Sequence, residues 1–203
     1  MIHVVDDFFS NPYQIRNIAL KSEYSKDPFN RWPGFRTLAM SPVLEQLVLG
    51  KVRKIVDNPK LEIDWDGTQN DIFFQYIPKT YKYGVAHVDT SLWTAVIYLN
   101  LDAPPDTGTE VHEDTIEFDK LAETRLFKKS LELKEHFYQN PNSNGFIWNR
   151  VSKKMNSQLS PSYTVANKFN RLVLFKGVLP HRAQNFFGET VENSRLTVVS
   201  FFK

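Results

Sequence analysis

The sequence contains no cysteine, which excludes a disulfide framework, a thiolate nucleophile and any thiolate-held metal. A metal bound by this chain has to be held by imidazole and carboxylate. No run of about 18 apolar residues occurs, so no transmembrane helix is expected. The stretch Met1-Ile2-His3-Val4-Val5-Asp6-Asp7 has neither the basic start nor the apolar core of a signal peptide. Neither sign of charge dominates: 25 Lys and Arg against 23 Asp and Glu leave a formal net charge of +2. A general binder of nucleic acid or membrane surfaces would carry a strong basic excess. No Gly/Ser-rich or Pro-rich linker and no fixed-period repeat divides the 203 residues. One soluble, cytoplasmic domain spanning residues 1–203 is therefore expected.

What is present is apolar pattern of two periods. Residues 2 to 9 read as a strand, followed by a helix capped by Ser10 or Asn11 and opened by Pro12. Ser41 and Pro42 open a second helix, whose Val43, Leu44, Leu47, Val48, Val52, Ile55 and Val56 follow helical spacing to Asn58-Pro59. From residue 61 the period falls to two: Leu61, Ile63 and Trp65 alternate with charge. Ile72 to Ile77, Trp93 to Leu101, Leu172 to Phe175 and Leu196 to Phe202 are short runs rich in β-branched and aromatic residues. Residues 116 to 139 read as a helical insertion and residues 140 to 162 as a polar loop. The fold class is mainly β with flanking helices (α+β), an antiparallel barrel or double-sheet jelly roll.

The chemistry-bearing residues lie between these runs. His87-Val88-Asp89 follows a strand and a turn, and residues two apart in extended chain point to one side. An imidazole and a carboxylate then stand together, and His181, after the strand Leu172 to Phe175, is the best third ligand. Two histidines and one carboxylate leave open positions on a metal, the arrangement used by Fe(II) oxygenases. Fourteen residues later, Arg195 and Thr197 share a face of the last strand, where a guanidinium and a hydroxyl can receive one carboxylate together.

That order, His-x-Asp, a distant His and Arg-x-Thr on the next strand, resembles the 2-oxoglutarate/Fe(II)-dependent dioxygenases, and within them the prolyl-hydroxylase-like branch. Gln75-Tyr76, Gly84, Tyr98-Leu99-Asn100 and Gly108-Thr109 are similar to parts of that branch's pattern. The N-terminal Val5-Asp6-Asp7-Phe8-Phe9, Asn11-Pro12, Ile15-Arg16, Ala19-Leu20 and Pro33-Gly34 resemble an uncharacterised oxygenase-like family of bacteria and phages. The resemblance implies a double-stranded β-helix, with Fe(II) on His87, Asp89 and His181 and the far carboxylate of 2-oxoglutarate on Arg195 and Thr197. It also suggests Tyr76 as a third contact to that carboxylate. The implied reaction consumes O2 and 2-oxoglutarate and hydroxylates a protein or small-molecule substrate. Residues 110 to 165 match no part of the pattern.

Other readings compete. His112, among Glu110, Glu113 and Asp114, is a rival ligand expected in a solvated loop or rim. Gly177, His181 and Asn185 resemble the second motif of the cupins, which suggests a metal protein that does not use 2-oxoglutarate, although the first cupin motif is missing. A non-enzymatic jelly-roll module would bind through Trp93, Trp148 and Phe186-Phe187. The tail after Arg195 lacks the Asn and second Arg of the nucleic-acid repair dioxygenases, which argues against a nucleic-acid substrate. Trp32, Arg36, Trp148 and Arg150 are the candidates for a cavity mouth.

Overall fold

Alternating side chains build the central layer of the molecule. A computed structural model of the chain describes residues 1–38, 40–56, 70–142 and 145–203. The expected strand at Leu61, Ile63 and Trp65 and the helix end at Asn58-Pro59 lie outside the described residues. The strands are β1 (Ile2–Val5), β2 (Ser25–Lys26), β3 (Phe35–Arg36), β4 (Asp71–Ile77), β5 (Trp93–Tyr98), β6 (Thr109–Val111), β7 (Tyr163–Val165), β8 (Leu172–Lys176), β9 (His181–Ala183) and β10 (Arg195–Phe202). Seven form one sheet in the order β1-β8-β5-β10-β4-β3-β2, antiparallel at every pairing. The other three form a smaller antiparallel sheet, β7-β6-β9.

Each long strand sends alternate residues to opposite sides of the large sheet. Leu196, Val198 and Phe202 of β10 and Trp93, Ala95 and Ile97 of β5 face two helices, α1 (Pro12–Lys21) and α2 (Pro42–Val56). Those helices answer with Ile15 and Ala19 and with Val48, Leu49 and Val52, all buried. Burying each large apolar side chain contributes roughly 1.5–3 kcal/mol, so this layer supplies much of the fold's stability. On the other side Val96, Tyr98, Val173 and Phe175 meet Val111 and Val165 of the small sheet. Between the two sheets the intervening residues need not be apolar, and the functional residues sit there.

Both N-terminal helices start near their expected residues. Pro12 occupies the first turn of α1 with Asn11 at the cap, although the Asn11 side chain turns to Gln14 instead of capping the backbone. The Ser41 carbonyl accepts from the Leu44 and Glu45 amides to open α2.

The insertion differs from expectation. The stretch 116 to 139 is two helices, α3 (Thr115–Ala122) and α4 (Arg125–Gln139), because the Thr124 hydroxyl accepts from the Phe127 amide and starts a new helix. The expected polar loop from 140 to 162 contains a third helix, α5 (Phe146–Asn156). Its buried positions are Trp148, Ser152, Met155 and Asn156. Helical spacing is present, but two of the four residues are polar, so no apolar stripe announces it.

Candidate metal centre and co-substrate cavity

The His87 loop and β9 lie antiparallel, joined by a bridge at His87 and His181 and by the Gly84 amide, which donates to the Ala183 carbonyl. The His87 amide donates to the His181 carbonyl at 3.0 Å and the His181 amide donates back at 2.9 Å. Residues directly opposite in such a pair project to one side, so the bridge alone sets the two imidazoles together, with ring centroids 4.4 Å apart. Asp89 joins them because its amide donates to the Gly177 carbonyl at 2.8 Å. Gly177 is required there: a Cβ would run into the Ser91 carbonyl.

Each imidazole spends its N–H on the backbone. His87 Nδ1 lies 2.8 Å from the Val85 carbonyl and His181 Nδ1 lies 2.9 Å from the Leu179 carbonyl. A carbonyl can only accept, so Nδ1 carries the proton and Nε2 presents a lone pair. Those Nε2 atoms converge on Asp89, at 3.7 Å from Oδ1 for His87 and 3.2 Å from Oδ2 for His181. Two lone pairs facing a carboxylate repel unless a cation lies among them. One ligand atom from each residue lies within 4.8 Å of the others, the spacing of a metal-binding group. The residues therefore fit a divalent metal of the type that accepts imidazole and carboxylate.

The electrostatics agree with that reading. Although the His87 ring is 57% exposed toward the cavity, the surrounding walls strip much of its hydration. That desolvation, with the neighbouring His181 charge, lowers its pKa to about 4, so it is neutral at pH 7. Burial alone would raise the Asp89 carboxyl. At low pH, where the imidazoles are protonated, the hydrogen bond and charge of His181, the charge of His87 and the hydrogen bond from Thr94 outweigh it and hold Asp89 well below the usual carboxylate range. Thr94 Oγ1 donates to Asp89 Oδ2 at 2.6 Å and is itself 3.0 Å from Ser91 Oγ.

The triad opens onto a cavity of about 300 Å³ between the sheets. Arg195 lines it and is otherwise buried, 4% exposed. Its guanidinium donates to Thr109 Oγ1 at 3.3 Å and to the Thr107 carbonyl at 3.4 Å, and lies 5.3 Å from the Tyr98 ring centre. Among the described residues no carboxylate pairs with it. Burial lowers its pKa, opposed by Tyr98. A buried guanidinium without an acid partner is a ready receptor for a carboxylate.

The remaining expected residues are placed as follows. Thr197 points to the cavity side of β10 but is fully covered, its hydroxyl 3.4 Å from the Gln75 carbonyl. Tyr76 is not brought to Arg195. It lies on the helix side of β4, stacked on Phe35 at 4.8 Å and edge-on to Tyr24 at 5.0 Å. The tyrosine beside Arg195 is Tyr98, whose hydroxyl is 2.6 Å from Thr109 Oγ1. Period two along β5 puts Tyr98 on the face of Thr94 and Val96, a signal present in the sequence. His112 is not in a solvated loop: it is 2% exposed, its Nδ1 bonded to the Ser160 carbonyl, and it is not part of the cavity wall. Trp32 and Arg36 do line the cavity, whereas Trp148 packs against Phe137 and Tyr138 and Arg150 is exposed. Trp93 and Phe186 are buried in the core, not displayed.

No protein-family model matches the chain, and no curated protein matches it by sequence. Solved structures do. A prolyl-4-hydroxylase from Pseudomonas putida superposes with a TM-score of 0.52 at 13% identity, over 100% of this chain and 91% of that one. HygX from Streptomyces hygroscopicus, with nickel and 2-oxoglutarate bound, gives 0.54 at 15% identity, over 98% of this chain and 82% of that one. A prolyl 4-hydroxylase from Phytophthora capsici gives 0.55 at 14% identity, over 100% of this chain and 58% of that one. The chain shares the fold of these three structures, a mixed α+β architecture around a large antiparallel sheet.

Proposed function

We propose that this chain is an Fe(II)- and 2-oxoglutarate-dependent oxygenase that hydroxylates a substrate C–H bond, built on a double-stranded β-helix. One observation carries the reading. A His–Asp–His group with both Nε2 lone pairs free shares a cavity with a buried arginine that has no acid partner among the described residues. Solved structures of the same fold include HygX with nickel and 2-oxoglutarate bound, which supports the assignment.

In this reading His87, Asp89 and His181 hold the iron. Arg195 receives the far carboxylate of 2-oxoglutarate, with Tyr98 and Thr109 fixing the guanidinium. Thr94 holds Asp89 by Oδ2, which fixes the carboxylate that would bind the metal. Bound there, Fe(II) with 2-oxoglutarate would supply O2 activation, coupling decarboxylation of 2-oxoglutarate to succinate and CO2 with hydroxylation of the substrate. The protein's part is orientation and shelter: Val96 and Val199 line the cavity between triad and arginine and exclude bulk water.

The test is anaerobic addition of Fe(II) and then 2-oxoglutarate to the purified protein. A visible absorption band of the iron-chelated keto acid is expected, and it should vanish in His87→Ala and His181→Ala. Bound metal without a band would favour the metal protein that does not use 2-oxoglutarate. No metal binding would leave a binding module.

A further inference from the structure

The cavity wall holds more positive charge than the metal and co-substrate require. Besides Arg195 it includes Arg31, Arg36 and Lys134, and Asp89 is the only acidic residue among its described lining. Arg31 is neutralised, because Asp27 accepts from its Nε and Nη2, each at 3.2 Å. Arg36 is not. Among the described residues no carboxylate or carbonyl accepts from it, and its Nε is buried without a partner. Its guanidinium lies instead among aromatic rings: Trp32 at 4.4 Å, Phe201 at 5.5 Å and Phe73 at 5.6 Å. Stacking of this kind holds the plane of the group and leaves its N–H edges free.

A second donor beside it is also unused. Trp32 Nε1, in the same wall, is buried and has no acceptor. Buried polar groups are nearly always hydrogen-bonded, so two unpartnered donors on neighbouring side chains that line one cavity point to a missing acceptor. Lys134, from α4, is the fourth cation of the wall, and burial lowers its pKa.

This cluster is separate from the arginine assigned to 2-oxoglutarate. Strand order in the large sheet runs β5-β10-β4-β3. The Arg195 guanidinium turns toward Tyr98 on β5, on one side of β10. That of Arg36 turns toward Phe73 on β4 and Phe201 at the far end of β10. One short diacid that reaches Arg195 does not also satisfy Arg36.

We propose that Arg36, Trp32 and Lys134 form a subsite for an oxyanion carried by the substrate, a carboxylate or a phosphate, so that the oxygenase acts on an anionic molecule. The proposal rests on the oxygenase reading for the identity of the bound group as substrate. The anion and its donors are independent of it.

The experiment titrates inorganic phosphate, and separately a blocked aspartate (N-acetyl-aspartyl methylamide), into protein loaded anaerobically with Fe(II) and saturating 2-oxoglutarate. Binding is read by calorimetry and tryptophan fluorescence. The first probe stands for a phosphorylated metabolite and the second for an acidic side chain, and the tighter one identifies the source. Arg36→Gln should weaken the probe at least tenfold while the keto-acid band and 2-oxoglutarate affinity stay unchanged. Arg36→Lys should recover part of the loss. Trp32→Phe, which keeps a ring but removes the N–H, and Lys134→Met should each weaken the probe by a smaller factor. The Lys134 variant also serves should the Arg36 variants not fold. Failure of both probes to bind wild-type protein, or binding that competes with 2-oxoglutarate and is lost in Arg195→Gln but kept in Arg36→Gln, would overturn the subsite. Absence of the keto-acid band in wild type would instead overturn the oxygenase reading, whatever the anion does.

Discussion

His87 and His181 are ordinary histidines that two backbone carbonyls prepare as candidate metal ligands. Each carbonyl, two residues upstream, takes the Nδ1 proton and leaves Nε2 free. Asp89 supplies the charge that a divalent ion needs, so Asp89→Ala should abolish stoichiometric iron binding, measured by metal analysis after gel filtration. Retained iron would refute the ligand set. Thr94→Val removes the 2.6 Å hydrogen bond that orients Asp89, and should weaken metal binding about 10–100-fold by competition titration, the usual effect of losing such a partner. Arg195→Met should leave iron in place and weaken 2-oxoglutarate by about 2–4 kcal/mol, since a carboxylate then enters a buried site without its cation. Unchanged affinity would move the co-substrate elsewhere in the cavity. The juxtaposition of His87 with Asp89 was legible in the sequence because spacing of two in extended chain carries a geometric meaning. Tyr76 was misplaced for the same kind of reason. One residue along a strand changes face, and only strand pairing shows that Gln75 and Ile77 line the cavity while Tyr76 packs under the helices.

The element that the sequence hid, α5, holds the loop that carries His87. Tyr83 donates its hydroxyl proton to the Asn149 carbonyl at 2.6 Å, with Ser152 Oγ 3.0 Å away. Asn156 donates to the Gly84 carbonyl at 3.0 Å and accepts from the Ala86 amide at 3.3 Å. Its polar residues are buried because they satisfy the backbone groups of an irregular segment, the Gly84 carbonyl and the Ala86 amide, that its isolated bridges leave over. Asn156→Ala strands both backbone groups, and should lower stability by about 1–3 kcal/mol in chemical denaturation. It should also loosen iron, because Ala86 adjoins His87. An effect on stability with iron affinity untouched would show that the bridge to His181 suffices to place the imidazole. Trp148 belongs to the same helix, stacked on Phe137 at 5.5 Å. Its role is to dock α5 on α4, not to line a mouth.

At the scale of the whole molecule, folding takes protons off histidine. His3, His87 and His112 all have pKa values lowered from 6.5, chiefly by burial, His87 to about 4. The unfolded chain binds protons near pH 6.5 where the folded chain does not. Stability is therefore fully present above that pH and is lost as pH falls toward about 4. The melting temperature of metal-free protein should decline steadily from about pH 6.5 to about pH 4.5, and His112→Asn should flatten part of that decline. Bound iron should offset it near neutrality, since metal and proton compete for the same Nε2 atoms. A flat profile in wild type would mean that the three rings stay hydrated.

The sequence by itself determined the alternation of the long strands, the two N-terminal helices, the absence of thiolate chemistry and the pairing of His87 with Asp89. These depend on neighbours within a few residues, where period and capping act directly. Tertiary structure decided the rest. The bridge between His87 and His181 joins residues far apart in the chain, and the cavity face of each strand follows from which helices cover the other side. The donors of Arg36 and Trp32 that lack a partner among the described residues appear only once their neighbours are placed in space. A hydrogen bond that is missing cannot be read from a list of residues, because it is a property of their surroundings.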